Sequence, residues 1–92
     1  AIIKHPSVHE VAVVGAPDPL RGMLVRAYIV LHAGYTPTES LVGEIQKFVK
    51  HETAPYKYPR EIEFVKSLPK TFSGKIKRDL LRHHAETGEY WE

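Results

Sequence analysis

The 92-residue sequence contains no cysteine. This absence excludes disulfide bonds, thiolate metal sites and cysteine nucleophiles, and it is consistent with a reducing compartment. No apolar run approaches the ~20 residues that a membrane span requires, and no signal-peptide pattern opens the sequence. We therefore expect a soluble intracellular domain without a membrane span, and we predict a cytoplasmic location.

The length of the sequence suits one small domain with a single modest core. A domain of this size has no room for a complete two-substrate active site. The N-terminal Ala-Ile-Ile has neither an initiator methionine nor a helix cap. We therefore expect residues 1–92 to form one domain of a longer protein.

The net charge of +2 is unevenly distributed along the sequence. Residues 1–46 carry three cations and four anions, whereas residues 47–92 carry ten cations and seven anions. The basic stretch from Lys66 to Arg82 holds six of those cations against one anion, Asp79. This surplus favours an anionic ligand, although lysine-rich loops on small domains are most often only solvated.

Within the basic stretch, a proline, two hydroxyl residues and a glycine precede Lys75. This pattern predicts an exposed loop that presents the lysine at its tip and leads into a helix. The loop is not a Walker A loop, which needs a glycine at Pro69 and a serine or threonine at Ile76. A phosphate at this loop must therefore be met by the Lys75 side chain.

The first half of the sequence predicts two strands and a helix. Val8 and residues 11–14 form a β-branched strand that Gly15 and a proline-rich loop at 16–22 end, and residues 23–32 form an antiparallel partner. Residues 36–39 predict a helix start, with Thr36 as the N-cap, Pro37 in the first position and Glu39 closing a capping box. The helix presents the apolar stripe Leu41, Ile45, Phe48 and Val49, and Pro55 ends it.

The second half predicts a strand at residues 61–65 and a final helix from about Lys77 to Ala85 that buries Leu80 and Leu81. The fold class is therefore α+β, a small mixed β-sheet flanked by helices in the order β-β-α-β-α. If the third strand runs parallel to a strand before the first helix, the crossover between them should be right-handed.

Five stretches of the sequence form an ordered set of motifs: residues 5–8 (HPSV), 11–15 (VAVVG), 17–22 (PDPLRG), 54–60 (APYKYPR) and 69–78 (PKTFSGKIKR). In this order, they resemble the small C-terminal domain of the adenylate-forming acyl-CoA synthetases, whose superfamily also includes luciferases and peptide-synthetase adenylation domains. Residues 54–60 are most similar to medium-chain or benzoate-type enzymes. The resemblance implies a C-terminal AMP-binding-enzyme domain, the mobile lid of such a synthetase.

The resemblance implies a catalytic role for Lys75. In the family, this lysine lies between the substrate carboxylate and the α-phosphate of ATP while acyl-AMP forms, and a thioester with CoA forms afterwards. The ammonium suits that place because it can bridge two anionic groups. The resemblance also implies that a larger N-terminal domain holds ATP, Mg²⁺ and the carboxylic acid, that the isolated chain is inactive, and that a lysine acetyltransferase and deacetylase act on Lys75.

The resemblance further places Arg21, Lys50 and the segment Tyr58-Pro59-Arg60 near the nucleotide part of CoA. Arginine forks and lysine ammonium groups suit the phosphates of CoA, and a tyrosine ring can stack on adenine. Two simpler roles stay open, namely a loop-capping arginine at position 21 and a solvated helix lysine at position 50.

A non-catalytic module that binds nucleic acid or another anion is the alternative function. The basic stretch has only Phe72 as an aromatic, and a net charge of +2 is weak for a domain that relies on phosphate contacts. We therefore expect no nucleic-acid partner. The histidine spacing predicts no metal site, and the Tyr90-Trp91 tail is predicted to be a docking or disordered end.

Overall fold

The computed structural model describes residues 2–20, 22–52 and 59–91. The predicted sites Arg21 and Tyr58 and the predicted helix stop Pro55 lie outside these residues. A short 3₁₀ helix precedes the order β-β-α-β-α, which confirms the predicted α+β fold. The elements are the 3₁₀ helix Ile2–Lys4, β1 Val8–Asp18, β2 Gly22–Leu31, α1 Glu39–Glu52, β3 Glu61–Phe64 and α2 Arg78–Thr87.

The sheet is mixed and has the strand order β1-β2-β3. β1 and β2 form an antiparallel hairpin, as predicted, with Val13 opposite Ala27. β3 runs parallel to β2 and places Ile62 beside Ala27. The helix α1 therefore lies in the connection between two parallel neighbours.

The prediction that Gly15 ends the first strand is wrong, because β1 continues to Asp18. Gly15 pairs with Val25, and Pro17 pairs with Met23. β1 is an edge strand, where a proline is tolerated because its missing N–H can face away from the neighbouring strand. The hairpin is consequently longer than its glycine and proline residues suggest.

The predicted cap of the first helix is also wrong. The helix α1 begins at Glu39, and the Leu41 N–H donates to the hydroxyl Oγ1 of Thr38 at 3.1 Å. Thr38 is thus the N-cap, and no Thr36–Glu39 capping box forms. The Thr38 hydroxyl is well placed for this role, because the Leu41 N–H has no backbone acceptor within the helix. Glu39 lies at the positive end of the helix dipole.

The two helices cover opposite faces of the sheet, because successive strand residues point to alternate sides. The predicted stripe of α1 packs on Ala27 and Ile29, with Ile45 and Val49 buried. On the other face, Leu81 of α2 packs against a second apolar cluster, in which Tyr28 is fully buried. That cluster consists of Ala12, Val14, Tyr28, Leu68 and Leu81.

The C-terminal tail docks on its own domain. The Trp91 ring lies 5.9 Å from the Tyr28 ring, and the Tyr90 hydroxyl donates to the Glu63 carboxylate. Of the two predicted behaviours, the tail therefore shows docking. Across the part of the chain that the structure describes, no helix is both long enough and apolar enough to cross a membrane.

Candidate functional site

Residues 70–76 form a closed loop, which we call the Lys75 loop. Lys70 and Ile76 face each other in an isolated antiparallel bridge at its base. Inside the loop, the Thr71 N–H donates to the Lys75 carbonyl at 2.7 Å, and the Gly74 N–H donates to the Thr71 carbonyl at 2.9 Å. The backbone that carries Lys75 is therefore held by its own hydrogen bonds.

Gly74 gives the loop its tight turn immediately before Lys75. Its φ of 91° lies in the left-handed region, which residues with a Cβ atom rarely adopt. A Cβ atom at this position would meet no atom within 4 Å. The glycine is thus required for its backbone conformation and not for space.

The Thr71 side chain adds contacts inside the loop. Its hydroxyl accepts the Lys75 N–H at 3.1 Å and lies 3.2 Å from the Ser73 hydroxyl. Both contacts join Thr71 to residues of the same loop.

The base of the loop is attached to the domain at two sides. The Lys70 ammonium lies 2.9 Å and 3.0 Å from the two carboxylate oxygens of Glu10 on β1. On the opposite side, Ile76 packs against the second apolar cluster, and the Lys77 N–H donates to the Pro69 carbonyl at 2.8 Å. The helix α2 then begins at Arg78. The base of the Lys75 loop is therefore attached to the domain, whereas the tip that carries Lys75 is exposed.

The Lys75 side chain is exposed, and no described residue forms an ion pair with its ammonium. By contrast, Lys70 in the same basic stretch is neutralised by Glu10. An unpaired cation at a defined place on a closed loop can bind an anionic group, or bridge two of them. The exposed loop predicted from the sequence is thus present.

Of the residues predicted to meet CoA, the structure describes Lys50, Pro59 and Arg60. Lys50 and Arg60 are exposed, but the Pro59 side chain is fully buried and offers no surface to a ligand. Gln46, one helical turn before Lys50, donates from Nε2 to the Pro59 and Arg60 carbonyls at 3.0 Å and 3.3 Å. This bond holds the Arg60 segment against α1.

The Lys50 and Arg60 region lies apart from the Lys75 loop in the fold. Lys50 belongs to α1 on the first face of the sheet, and the Arg60 carbonyl accepts a hydrogen bond from Gln46 of the same helix. The Lys75 loop, by contrast, leads into α2 on the second face. Among the residues that the structure describes, Lys75 and the pair Lys50 and Arg60 therefore lie in two separate basic regions.

A polar network between the sheet and α2 was not predicted. Arg26 donates to Glu61 at 2.8 Å, to Glu63 at 3.0 Å and to the Tyr28 hydroxyl at 3.0 Å. The parallel register pairs Arg26 with Glu61 and Tyr28 with Glu63. The alternation of Glu61 and Glu63 opposite an arginine was the sequence signal that could have revealed it.

The Tyr28 hydroxyl connects this network to α2. It donates to the Leu81 carbonyl at 3.1 Å and lies 2.8 Å from Nδ1 of His84. Burial raises the pKa of the Tyr28 phenol and lowers the pKa of the His84 imidazole. A neutral His84 protonated at Nδ1 therefore donates to Tyr28 while Tyr28 donates to Leu81.

Arg26 keeps its positive charge although its side chain is partly buried. Burial alone lowers its pKa, but the hydrogen bonds to Tyr28 and Glu61 outweigh that effect, and the pKa of Arg26 is raised. The network thus joins a charged arginine to a neutral tyrosine and histidine. We assign it to docking α2, the helix that follows the Lys75 loop.

The buried His5 has a similar structural role on the first face. The Nδ1 atom of its ring forms a hydrogen bond with the Ser7 hydroxyl at 2.8 Å, and Nε2 lies 2.8 Å from the Glu44 carboxylate of α1. Within residues 2–20, 22–52 and 59–91, no group of three or more histidine or carboxylate side chains is arranged to hold a metal ion.

Several solved structures that share this fold are acyl-CoA synthetases or CoA ligases. The acyl-CoA synthetase of Brucella canis superposes with a TM-score of 0.88 at 48% identity, over 91% of this chain and 16% of that chain. A benzoate CoA ligase from Burkholderia xenovorans LB400 superposes with a TM-score of 0.83 at 46% identity, over 88% of this chain and 16% of that one. The fold therefore defines the C-terminal domain type of this ligase class.

The chain belongs to the AMP-binding enzyme C-terminal domain family, which it matches over residues 1–75. It is 58% identical over 84 residues to "Acyl-coenzyme A synthetase ACSM4, mitochondrial" of Mus musculus, which covers 89% of this chain and 14% of that protein. It is 56% identical over 86 residues to the acyl-CoA ligase YtcI of Bacillus subtilis, which covers 94% of this chain and 16% of that protein. The family resemblance noted in the sequence is confirmed, and the chain spans only a minor part of these relatives.

Proposed function

We propose that this chain is the C-terminal lid of an AMP-forming acid–CoA ligase, in which Lys75 assists the formation of acyl-AMP. The observation that carries the proposal is the exposed Lys75 ammonium, which no described residue pairs, on a closed loop in a member of this family. The names of the relatives, which are acyl-CoA synthetases and ligases, support the same activity.

The charge of Lys75 suits the first half-reaction. A carboxylate oxygen of the acid attacks the α-phosphorus of ATP, the bond from that phosphorus to the bridging oxygen breaks, and pyrophosphate leaves. Two anions approach each other in the transition state, and an ammonium between them lowers its energy. One such cation accelerates the step by roughly 10²- to 10³-fold, which corresponds to about 3 to 4 kcal/mol.

The remaining parts of the reaction belong to a larger N-terminal domain in this proposal. That domain binds ATP, the carboxylic acid and the Mg²⁺ that accompanies ATP. The acyl group is proposed to be of the medium-chain or benzoate type, from the resemblance of residues 54–60. The names of the benzoate and anthranilate CoA ligases among the solved relatives support the benzoate type.

The CoA contacts are proposed at the second basic region. Lys50 and Arg60 are exposed next to the Gln46 bond that joins α1 to residues 59 and 60. Their cations suit the phosphates of CoA, because both provide charged hydrogen bonds. Arg21 and Tyr58 stay in the proposal on the basis of the sequence alone, and Pro59 contributes only by its place between its neighbours.

Assaying the two half-reactions separately tests the role of Lys75. In the complete enzyme, we expect Lys75→Ala to lower acyl-AMP formation by roughly 100-fold or more, and to leave thioester formation from supplied acyl-AMP nearly unchanged. The matched control is Lys66→Ala, which removes an exposed cation of the same basic stretch and should change neither step. Equal losses in both half-reactions of the Lys75 variant contradict the assignment.

The exposure of Lys75 also supports a regulatory role. Acetylation removes the ammonium charge, so a lysine acetyltransferase and a deacetylase acting on Lys75 would switch acyl-AMP formation off and on. Mass spectrometry of Lys75, combined with adenylation rates before and after deacetylation, checks this expectation. A fully acetylated enzyme that keeps its adenylation rate refutes it.

Two further expectations stay predictions. The cytoplasmic location is one, and several curated relatives are named mitochondrial, so imaging of the tagged protein is the appropriate test. The absence of a nucleic-acid partner is the other. Salt-sensitive oligonucleotide binding by the basic stretch would favour the alternative of a non-catalytic module.

A further inference from the structure

We propose that Thr71 is a positioning residue, whose hydroxyl sets the direction in which Lys75 leaves its loop. This inference rests on the proposed role of Lys75 in acyl-AMP formation. Thr71 itself touches no reacting atom in this scheme. It acts through the backbone of Lys75, because it is hydrogen-bonded to both the N–H and the carbonyl of that residue.

Thr71 contacts the loop through all of its polar groups. Its N–H donates to the Lys75 carbonyl at 2.7 Å, and its carbonyl accepts the Gly74 N–H at 2.9 Å. Its hydroxyl accepts the Lys75 N–H at 3.1 Å and lies 3.2 Å from the Ser73 hydroxyl. Thr71 thus forms hydrogen bonds with both the N–H and the carbonyl of Lys75.

The hydroxyl contact matters because it lies next to the softest point of the loop. Gly74 adopts a φ of 91° and, having no side chain, can leave that conformation easily. The Lys75 N–H belongs to the peptide unit that joins Gly74 to Lys75, so a rotation at Gly74 turns this N–H away from Thr71. The hydroxyl therefore resists the rotation that would swing the Lys75 side chain to another direction.

The orientation of Lys75 is the quantity that catalysis depends on in the proposed function. A cation that is displaced by about 1 Å from two approaching anions loses much of its effect on the transition state. The Lys70–Glu10 ion pair holds the base of the loop at 2.9 Å. The Thr71 hydroxyl holds the tip, where Lys75 is attached.

The variant Thr71→Val removes the hydroxyl and keeps the shape of the side chain. In the complete enzyme, we expect kcat for acyl-AMP formation to fall about tenfold while KM for ATP changes less than about twofold, because an orienting hydrogen bond is lost and no substrate contact is lost. Thr71→Ser keeps the hydroxyl and should restore most of the rate.

Thr87→Val is the matched control. The Thr87 hydroxyl also accepts a backbone N–H at 3.1 Å, that of Glu89, and donates to the His83 carbonyl at 2.8 Å. It lies at the end of α2, away from the Lys75 loop. The control variant should therefore keep the parental adenylation rate, and thioester formation from supplied acyl-AMP should be normal in every variant and report an intact fold.

The double variant Thr71→Val/Lys75→Ala tests whether Thr71 acts through Lys75. It should adenylate no more slowly than Lys75→Ala alone, because the orientation of an absent ammonium has no effect. A further loss in the double variant, a parental rate in Thr71→Val, or no rescue by Thr71→Ser overturns the positioning role.

These outcomes also separate the two proposals. A selective adenylation loss in Lys75→Ala, together with a silent Thr71→Val, overturns the role of Thr71 and leaves the proposed function intact. A Lys75→Ala variant that adenylates at the parental rate overturns both proposals, since Thr71 then has no catalytic group to position.

Discussion

Replacing the buried tyrosine of β2 measures how strongly the polar network holds α2 to the sheet. In Tyr28→Phe, the lost hydroxyl leaves the buried Nδ1 of His84 without its partner at 2.8 Å and removes the bond to the Leu81 carbonyl. Arg26 keeps its two carboxylate bonds but loses the acceptor of its Nε–H, which lies 3.0 Å from the Tyr28 hydroxyl. The loss of these three contacts, which leaves the buried Nδ1 of His84 without a partner, costs at least about 2 kcal/mol of unfolding free energy.

Denaturation by urea, followed through Trp91 fluorescence, measures this cost. Trp91 is the single tryptophan of the chain, and its ring lies 5.9 Å from that of Tyr28. A loss of about 2 kcal/mol in a domain of this size lowers Tm by roughly 8 to 16 °C. Tyr35→Phe is the control, because the Tyr35 side chain is exposed and its hydroxyl bonds to no described residue.

The reasoning is refuted if Tyr28→Phe unfolds at the parental urea concentration, or if Tyr35→Phe is equally destabilised. Either result means that the hydroxyl contacts of the network add nothing to the apolar packing of the ring. The m-value should stay constant, since the surface exposed on unfolding does not change.

Three further predictions concern the loop, the buried histidine and the second basic region. Gly74→Ala should slow acyl-AMP formation, because a Cβ atom strains the left-handed backbone by about 1 kcal/mol, whereas Gly88→Ala, with a φ of 81° at the end of α2, should lower stability only. Burial lowers the pKa of His84 in the fold, with Glu63 opposing and Arg26 assisting, so the unfolded state binds the proton more readily. The contribution of neutral His84 to the unfolding free energy should therefore be complete above pH ~6.5 and should decrease as the pH drops from there towards the lowered pKa of the folded state. Urea titrations of His84→Gln should lack this decrease. Lys50→Ala and Arg60→Ala should raise KM for CoA by about 10- to 150-fold with adenylation unchanged. A smaller penalty with dephospho-CoA would identify a contact to the 3′-phosphate.

The features predicted correctly from the sequence depend on short stretches of chain. The exposed Lys75 loop was predictable because its hydrogen bonds join residues only four or fewer positions apart, as between Thr71 and Lys75. The apolar stripe of α1 was predictable because helical periodicity places Leu41, Ile45 and Val49 on one face. Local chemistry decides these features, and the sequence displays it directly.

The features that were missed depend on tertiary contacts or on close local competition. Tyr28 and His84 are 56 positions apart, and Arg26 and Glu63 are 37 apart, so only the parallel register of β3 and the docking of α2 bring them together. The cap of α1 was misassigned because two threonines, Thr36 and Thr38, offer the same hydroxyl near a proline. A pattern search cannot rank such equivalent caps without the path of the chain before the helix.

The closed geometry of the Lys75 loop has a consequence for the entropy of domain docking. A flexible lysine-bearing segment must be ordered each time it meets its target, and ordering costs about 1–2 kcal/mol for every backbone residue that is fixed. In this domain, the turn, the Thr71 bonds and the Lys70–Glu10 pair already fix the backbone of residues 70–76. A surface that receives the loop then has to immobilise little more than the methylene chain of one lysine, for about 2 kcal/mol. Association of the loop with such a surface can consequently be fast, which suits the lid role proposed for this domain.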